Sequence, residues 1–280
     1  MPNDPPYIPF SQRAGLSPVP PQLKLGEASS ELRRLFAYYI GLEIDRETHS
    51  GFEYQSFDSN WKRVATDFHV LLLGKDAHTY NYTPHQFKEY INLATRRMNI
   101  AQLFDLIEFF ARHPRCSAEL KRELSDSFVK ARAAYRIIDS QIVAIGTEEQ
   151  AAAFEKAVAD AGERDAGGAR QHLILAGVAL RNSDWAGSVR ESIHAVEAMA
   201  LRLAPDTTTL GPALAALERR GHLHGSLKAA FGSLYGYSSD EEGIRHARVF
   251  KEEAEVDEAD ALFMLGACAS FVSYLLARGH

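Results

Sequence analysis

Residues 135–150 read YRIIDSQIVAIGTEEQ, and in this stretch the spacing of the apolar residues changes. β-Branched residues stand on both sides of Asp139-Ser140, which favours a two-stranded ribbon of residues 135–138 and 141–145. On either side of it, apolar residues recur at helical spacing. A lone hairpin is only marginally stable, so we expect the ribbon to pack on helices. The sequence predicts an all-α fold of two helical domains with one short β-hairpin near the middle.

The predicted domain boundaries follow from this change of period. Residues 1–26 are rich in proline, which fixes φ and lacks an amide hydrogen, so we expect an extended arm without regular structure. Residues 27–134 form the predicted N-terminal helical domain, residues 135–147 the hairpin connector and residues 148–280 the C-terminal helical domain. A chain of 280 residues is long for one compact domain, which also favours two.

Helix start signals support this division. Ser29 or Ser30 can cap the first long helix, and Thr83 followed by Pro84 is typical of a helix start. The last predicted helix, at about residues 258–277, is the most apolar. Its apolar run is slightly short for a membrane span, so we interpret it as a buried core helix. The side chains expected in its buried face are Phe263, Met264, Cys268, Phe271, Val272 and Leu275.

Composition and missing motifs exclude several function classes. The formal net charge of −6 and the pI near 6.0 do not fit a non-specific nucleic-acid binder, so any contact with RNA must be local. The sequence has no glycine-rich phosphate loop, no C-x-x-C and no H-E-x-x-H. The two cysteines lie far apart inside helical patterns, and no secretory signal is evident at the start. We therefore expect a cytoplasmic protein with no cofactor, no metal and no membrane contact.

A polar face on one helix leaves two interpretations open. In residues 183–203, SDWAGSVRESIHAVEAMALRL, an apolar stripe is accompanied by Arg190, His194 and Glu197 at spacings of four and three. These three side chains fit either a structural polar network between helices or a functional site.

Six segments of the sequence carry a resemblance to a known family. They are FSQRAGL (10–16), SSELRRLFAYYI (29–40), AYRIIDSQIVAI (134–145), SVRESIHAVEAMA (188–200), LYGYSSDEEGIRHA (234–247) and ALFMLGACASFVSYL (261–275). The most specific is YSSDEEGIRHA, within the fifth segment. Together they resemble bacterial AbiJ-type abortive-infection proteins, in which an AbiJ N-terminal domain of the fourth type precedes a HEPN-like domain.

The resemblance implies a C-terminal HEPN-like up-down bundle that forms a homodimer and acts as a metal-independent ribonuclease. In such domains an arginine and a histidine, separated by about four to six residues, face a cleft between two protomers. Arg245 and His246 are the best match, although they are adjacent. Arg219 and His224 have the usual spacing but lie in a predicted connection between helices, and Glu197 is a further weak candidate.

The residue types suit RNA cleavage. Histidine titrates near neutral pH and can move the proton of a ribose 2′-hydroxyl, while arginine can bind a phosphate through two donors. The resemblance thus implies antiphage defence by RNA cleavage, started by a phage or host trigger that the sequence does not specify. Two alternatives remain: a non-catalytic HEPN-like module that binds RNA, a nucleotide or a protein partner, and a structural dimer without its own ligand.

Overall fold

The structure is a computed structural model that describes residues 9–18, 20–50, 55–239 and 256–279. Most of these residues are helical, which confirms the predicted all-α class. The chain divides into two compact units, Met1–Ile142 (unit 1) and Val143–His280 (unit 2). The division falls inside residues 135–147, the stretch predicted as the connector.

Unit 1 contains six helices among its described residues. They are α1 Phe10–Arg13, α2 Ser30–Arg46, α3 Ser59–Asp67, α4 Pro84–Arg97, α5 Ile100–Arg112 and α6 Ala118–Lys130. A π-helical turn, Phe68–Leu72, continues α3, and a 3₁₀ turn spans Ala77–Thr79. A small antiparallel sheet joins β1 Thr48–Ser50 to β2 Gln55–Phe57.

Five of the six described helices of unit 1, α2 to α6, begin at side-chain caps. Ser29 accepts a hydrogen bond from the Leu32 amide at 3.1 Å, which decides between the two predicted caps. Thr83 and Gln86 form a reciprocal capping box at the start of α4, with Pro84 in the first helical position. Such caps satisfy amides that have no partner inside the helix.

Aromatic rings fill the centre of unit 1. Trp61 stacks on Phe110 with 6.0 Å between ring centroids, and Phe68 meets the edge of Phe87 at 5.2 Å. All four side chains are fully buried. Stacked and edge-to-face pairs add to the free energy gained from burial, so these rings hold α3, α4 and α5 together.

The predicted hairpin is present as β3 Tyr135–Ile138 paired with β4 Gln141–Ala144. The two turn residues, Asp139 and Ser140, have φ values of 50° and 61°. Positive φ at both central positions is typical of the type I′ turn, whose twist matches that of the flanking strands. The second strand ends at Ala144, one residue earlier than predicted.

Two features of unit 1 correct the sequence-based expectations. The arm was expected to lack regular structure, yet Phe10–Arg13 form one helical turn. Residues 10–17 contain no proline, so their amides are free to donate, and Ala14 bonds to the Phe10 carbonyl at 2.8 Å. The β1–β2 sheet was not predicted either, because its three-residue strands are too short for an alternating pattern to be detected.

Unit 2 is a helical bundle. Its described helices are α7 Glu148–Glu163, α8 Gly167–Arg181, α9 Trp185–Leu203, α10 Leu210–Arg219, α11 Gly225–Ser239 and α12 Glu258–Arg278. Helix α9 packs against α8, α10, α11 and α12, and α12 packs against α7 and α8 as well. The bundle is therefore organised around α9 and α12.

Helix α12 is long and apolar enough to cross a membrane, but half of its most apolar 18-residue window is buried within the protein. Met264, Cys268, Phe271, Val272 and Leu275 are all buried, as predicted for a core helix. Their spacing repeats every three to four residues and so defines one face.

Phe263 does not belong to that face, and its predicted burial was wrong. Its side chain is 60% exposed. Phe263 lies five residues before Cys268, which corresponds to a rotation of about 140° around the helix, so it points away from the buried face.

Candidate functional site

The preferred catalytic pair, Arg245 and His246, lies outside the described residues, which stop at Ser239 and resume at residue 256. The weaker candidates Arg219, His224 and Glu197 are all described.

Glu197 has a structural role in the bundle. Its Oε1 accepts a hydrogen bond from the Leu210 amide at 3.0 Å, at the first residue of α10. Thr209, which precedes that helix, provides no side-chain cap. Glu197 thus satisfies an amide at the positive end of α10, which is a favourable place for a carboxylate.

Arg219 and His224 lie on the surface where α10 ends and α11 begins. The Arg219 Nε donates to the Ala215 carbonyl at 3.4 Å, one turn back in its own helix. The His224 Nδ1 accepts from the Ser226 amide at 3.2 Å. Both side chains are exposed, and no hydrogen bond or ion pair joins them in the described part of the chain. The two residues are therefore close in sequence, but the structure does not bring their side chains together as a pair.

A second group of polar side chains lies between α8 and α9. His172 on α8 and Glu191 on α9 are 2.7 Å apart, measured from Nδ1 to Oε2. His194 lies one helical turn beyond Glu191, and its ring meets the edge of the His172 ring with 5.3 Å between centroids. Each of the three residues offers one atom that can bind a metal, and these three atoms all lie within 4.8 Å of one another. All three side chains are half-buried, so one side of this cluster, the His172–Glu191–His194 cluster, remains open to solvent.

Sequence reasoning found only one member of this cluster, His194, and grouped it with Arg190 and Glu197. Arg190 is exposed and Glu197 bonds to α10. A usable signal was nevertheless present. Glu191 and His194 are three residues apart and so share a helix face. Ser183 lies in the short turn between α8 and α9. His172 precedes it by the same number of residues as His194 follows it, and two antiparallel helices place such residues at the same height.

The two cysteines are not reactive groups in this structure. Burial raises the pKa of the Cys268 thiol to about 12. Burial, with a smaller contribution from the negative charge of Glu43, raises the pKa of the Cys116 thiol to about 12 as well. Since the thiolate is the nucleophile and the metal ligand, neither cysteine provides that chemistry near neutral pH.

Unit 1 carries a basic groove between α2 and α4. We use this name for the depression lined by Arg33, Arg34, Tyr38, Asp45, Lys88, Asn92 and Arg96, together with Ala37 and Leu42. Two of its cations have structural partners. Arg33 donates from Nη1 to the carbonyls of Thr95 and Met98 at 2.7 and 2.8 Å, and Lys88 pairs with Asp45.

Arg34 and Arg96 are the cations of the groove that remain available. Both are exposed and make no hydrogen bond or ion pair within the described residues. Tyr38 lies beside them with its side chain 60% exposed. Two unpaired guanidinium groups beside an exposed aromatic ring fit an anionic, aromatic ligand, because guanidinium binds phosphate and an aromatic ring can stack on a base.

Comparison with known proteins finds one family. Residues 9–160 match the family model described as AbiJ N-terminal domain 4, which covers more than half of the chain. The matched region includes all of unit 1's described helices, passes through the hairpin and ends within α7. No curated protein and no solved structure matches the chain.

Proposed function

Since the chain belongs to the AbiJ N-terminal domain 4 family of abortive-infection proteins, we propose that it limits phage infection by cleaving RNA inside the cell. The family match over residues 9–160 is the observation that carries the proposal, because it supports antiphage defence as the biological role. RNA cleavage is the finer step. It is supported by the helical bundle of unit 2 and by the resemblance of its sequence to HEPN-like domains.

In this proposal Arg245 and His246 form the catalytic pair. His246 takes the proton from a ribose 2′-hydroxyl, and the resulting oxygen attacks the adjacent phosphate to form a 2′,3′-cyclic phosphate. The bond from phosphorus to the 5′-oxygen breaks, and a protonated His246 returns a proton to that leaving oxygen. Arg245 holds the phosphate through two N–H donors and stabilises its growing negative charge. A homodimer that brings two copies of the pair to one cleft would let the two groups act on one phosphate.

The adjacency of Arg245 and His246 favours one alternative. In the HEPN-like pattern the two residues are separated, so a chain in which they are adjacent could bind RNA without cutting it. The basic groove of unit 1 supports RNA binding in both versions, since the net charge of −6 requires any contact with RNA to be local.

We expect the purified 280-residue chain to cleave mixed-sequence RNA in the presence of EDTA, and His246→Ala to abolish cleavage. Loss of the histidine removes the proton acceptor, and no step of the proposed chemistry uses a metal. Arg245→Lys should also be strongly impaired, because an ammonium group cannot reproduce the planar two-donor grip on a phosphate. Product formation is measured on gels, and light scattering of the same samples should give the mass of two chains.

His78→Ala is the matched control, because His78 is an exposed histidine in unit 1 far from the candidate residues in sequence. It should cleave as the wild type does. Equal cleavage by wild type and His246→Ala would refute the assignment of His246 and direct attention to Arg219 and His224. Wild-type protein that binds RNA but leaves it intact would support the non-catalytic alternative.

The basic groove gives a separate prediction about binding. Arg34→Ala/Arg96→Ala should weaken RNA binding and flatten its dependence on salt. Each phosphate contact to single-stranded nucleic acid contributes about 0.7 to the slope of log affinity against log salt concentration, so two lost contacts should reduce the slope by roughly 1.4. Fluorescence anisotropy of labelled RNA across a salt series measures both quantities.

The control for this measurement is Lys121→Ala/Arg122→Ala on α6, which removes two positive charges outside the groove. Equal weakening by both double variants would show that net charge alone matters. No weakening by Arg34→Ala/Arg96→Ala would exclude the groove as an RNA contact.

A further inference from the structure

We propose that His172, Glu191 and His194 bind one divalent transition-metal ion, for which zinc is the first candidate. The proposal does not rest on the ribonuclease function, whose chemistry uses no metal. It rests on the convergence of two imidazoles and one carboxylate from two packed helices, with ligand-type atoms within 4.8 Å of one another.

The backbone already places these side chains close to a metal-binding arrangement. Nitrogen and oxygen ligands about 2.0–2.2 Å from a tetrahedral zinc ion lie roughly 3.3–3.5 Å from each other. The His172–Glu191 pair at 2.7 Å is somewhat closer than that, and no pair among the three exceeds 4.8 Å. We expect rotation of the side chains to remove this mismatch without movement of the helices.

The helix pair that carries the cluster is closely packed. A Cβ built on Gly168 of α8 would lie 3.5 Å from the Cβ of Ala198 on α9. Ser188 and Ser192, on the same helix as Glu191, are fully buried. Close packing fixes the two backbones relative to each other, and this lowers the conformational entropy that a metal site must overcome.

The ligand types select the class of metal. Imidazole suits zinc, copper, nickel and iron, whereas magnesium and calcium prefer sites made wholly of oxygen ligands. Two histidines and one glutamate are also a known zinc ligand set, in which water occupies the fourth position. The open side of the half-buried cluster leaves room for that water. The site would therefore hold an accessible ion rather than an enclosed structural one.

A simple hydrogen-bonded pair is the competing explanation. His172 and Glu191 would suffice for it, because their bond of 2.7 Å satisfies both groups. It does not explain His194, which makes no hydrogen bond in the described part of the chain although it lies against the His172 ring. A third ligand-type side chain directed at the pair, with nitrogen atoms still available, favours metal binding.

The test measures binding of the metal itself to the tag-free 280-residue chain after treatment with a chelator and dialysis. Zinc affinity is measured by competition with a chromophoric chelator, and Co²⁺ is used as a spectroscopic probe of coordination. We expect one ion per chain, a tetrahedral cobalt spectrum, and no displacement by excess Mg²⁺.

Glu191→Gln and His194→Ala should each weaken zinc binding by more than about tenfold. Loss of a group that only orients a metal ligand already lowers affinity by about tenfold or more, and these variants remove a ligand itself. Glu191→Gln preserves the side-chain shape, so it keeps the test valid if His194→Ala disturbs the fold. His78→Ala should bind as the wild type does. Zinc should raise the melting temperature of the wild type but not that of the two ligand variants. No binding by the wild type, or equal binding by wild type and both variants, would overturn the proposal.

Discussion

Phe271→Ala is expected to lower the free energy of unfolding of unit 2 by about 3–5 kcal/mol, because it leaves a large cavity in the bundle. The Phe271 side chain is only 3% exposed. Its ring is stacked on that of Phe231 in α11, with 3.4 Å between centroids and 8° between planes. Trp185 at the start of α9 provides a fluorescence probe within the same unit. In a Trp61→Phe background it is the only tryptophan of the sequence, so urea titration followed by fluorescence measures the loss in unit 2.

Phe263→Ala is the matched control for this measurement. It removes the same ring from the same helix, but at a position that is 60% exposed, so we expect a loss below about 0.5 kcal/mol. Similar losses for both variants would show that α12 does not present the described face to the bundle. A loss well below 1 kcal/mol for Phe271→Ala would reject its place in the core.

Trp61→Ala should destabilise unit 1 by a similar amount, about 3–5 kcal/mol. Trp61 is fully buried and contacts the rings of Phe57, Phe87 and Phe110, which belong to three other elements. Removal of this side chain would therefore eliminate packing contacts between several elements at once. Because the variant lacks the fluorescent probe of unit 1, its unfolding is followed by circular dichroism.

Two further variants sharpen this prediction. Trp61→Phe keeps an aromatic ring and removes an indole Nε1 that is buried without a hydrogen-bond partner. Its free energy of unfolding should therefore fall much less than that of Trp61→Ala. Tyr38→Ala removes an aromatic ring from the surface of α2 and should change stability by less than about 0.5 kcal/mol. If Trp61→Phe is as damaging as Trp61→Ala, the aromatic contacts described here do not stabilise unit 1.

Local signals in the sequence predicted most of the fold. Thr83 with Pro84, and the residues around Asp139-Ser140, determine structure through neighbours in the chain, so their effects can be derived from sequence. Phe263 shows where such reasoning fails. A helix rich in apolar residues on all sides does not reveal which face is buried, because that depends on what packs against it.

The candidate sites were less predictable, because they depend on pairing between elements. Glu197 fits a polar site by its spacing, but its partner is an amide in the next helix. His172 and His194 required the register of the α8–α9 pair. Gly168 and Ala198, which also lie at equal distances from Ser183, approach closely and are consistent with that register.

The two buried cysteines have a practical consequence. Cys116 belongs to unit 1 and Cys268 to unit 2, and each thiol is shielded from solvent and held protonated. An alkylating reagent can therefore react with either one only when the surrounding unit opens. The labelled fraction of each cysteine peptide, measured by mass spectrometry, then reports how often each half of the molecule exposes its interior. The protein needs no substitution for this measurement.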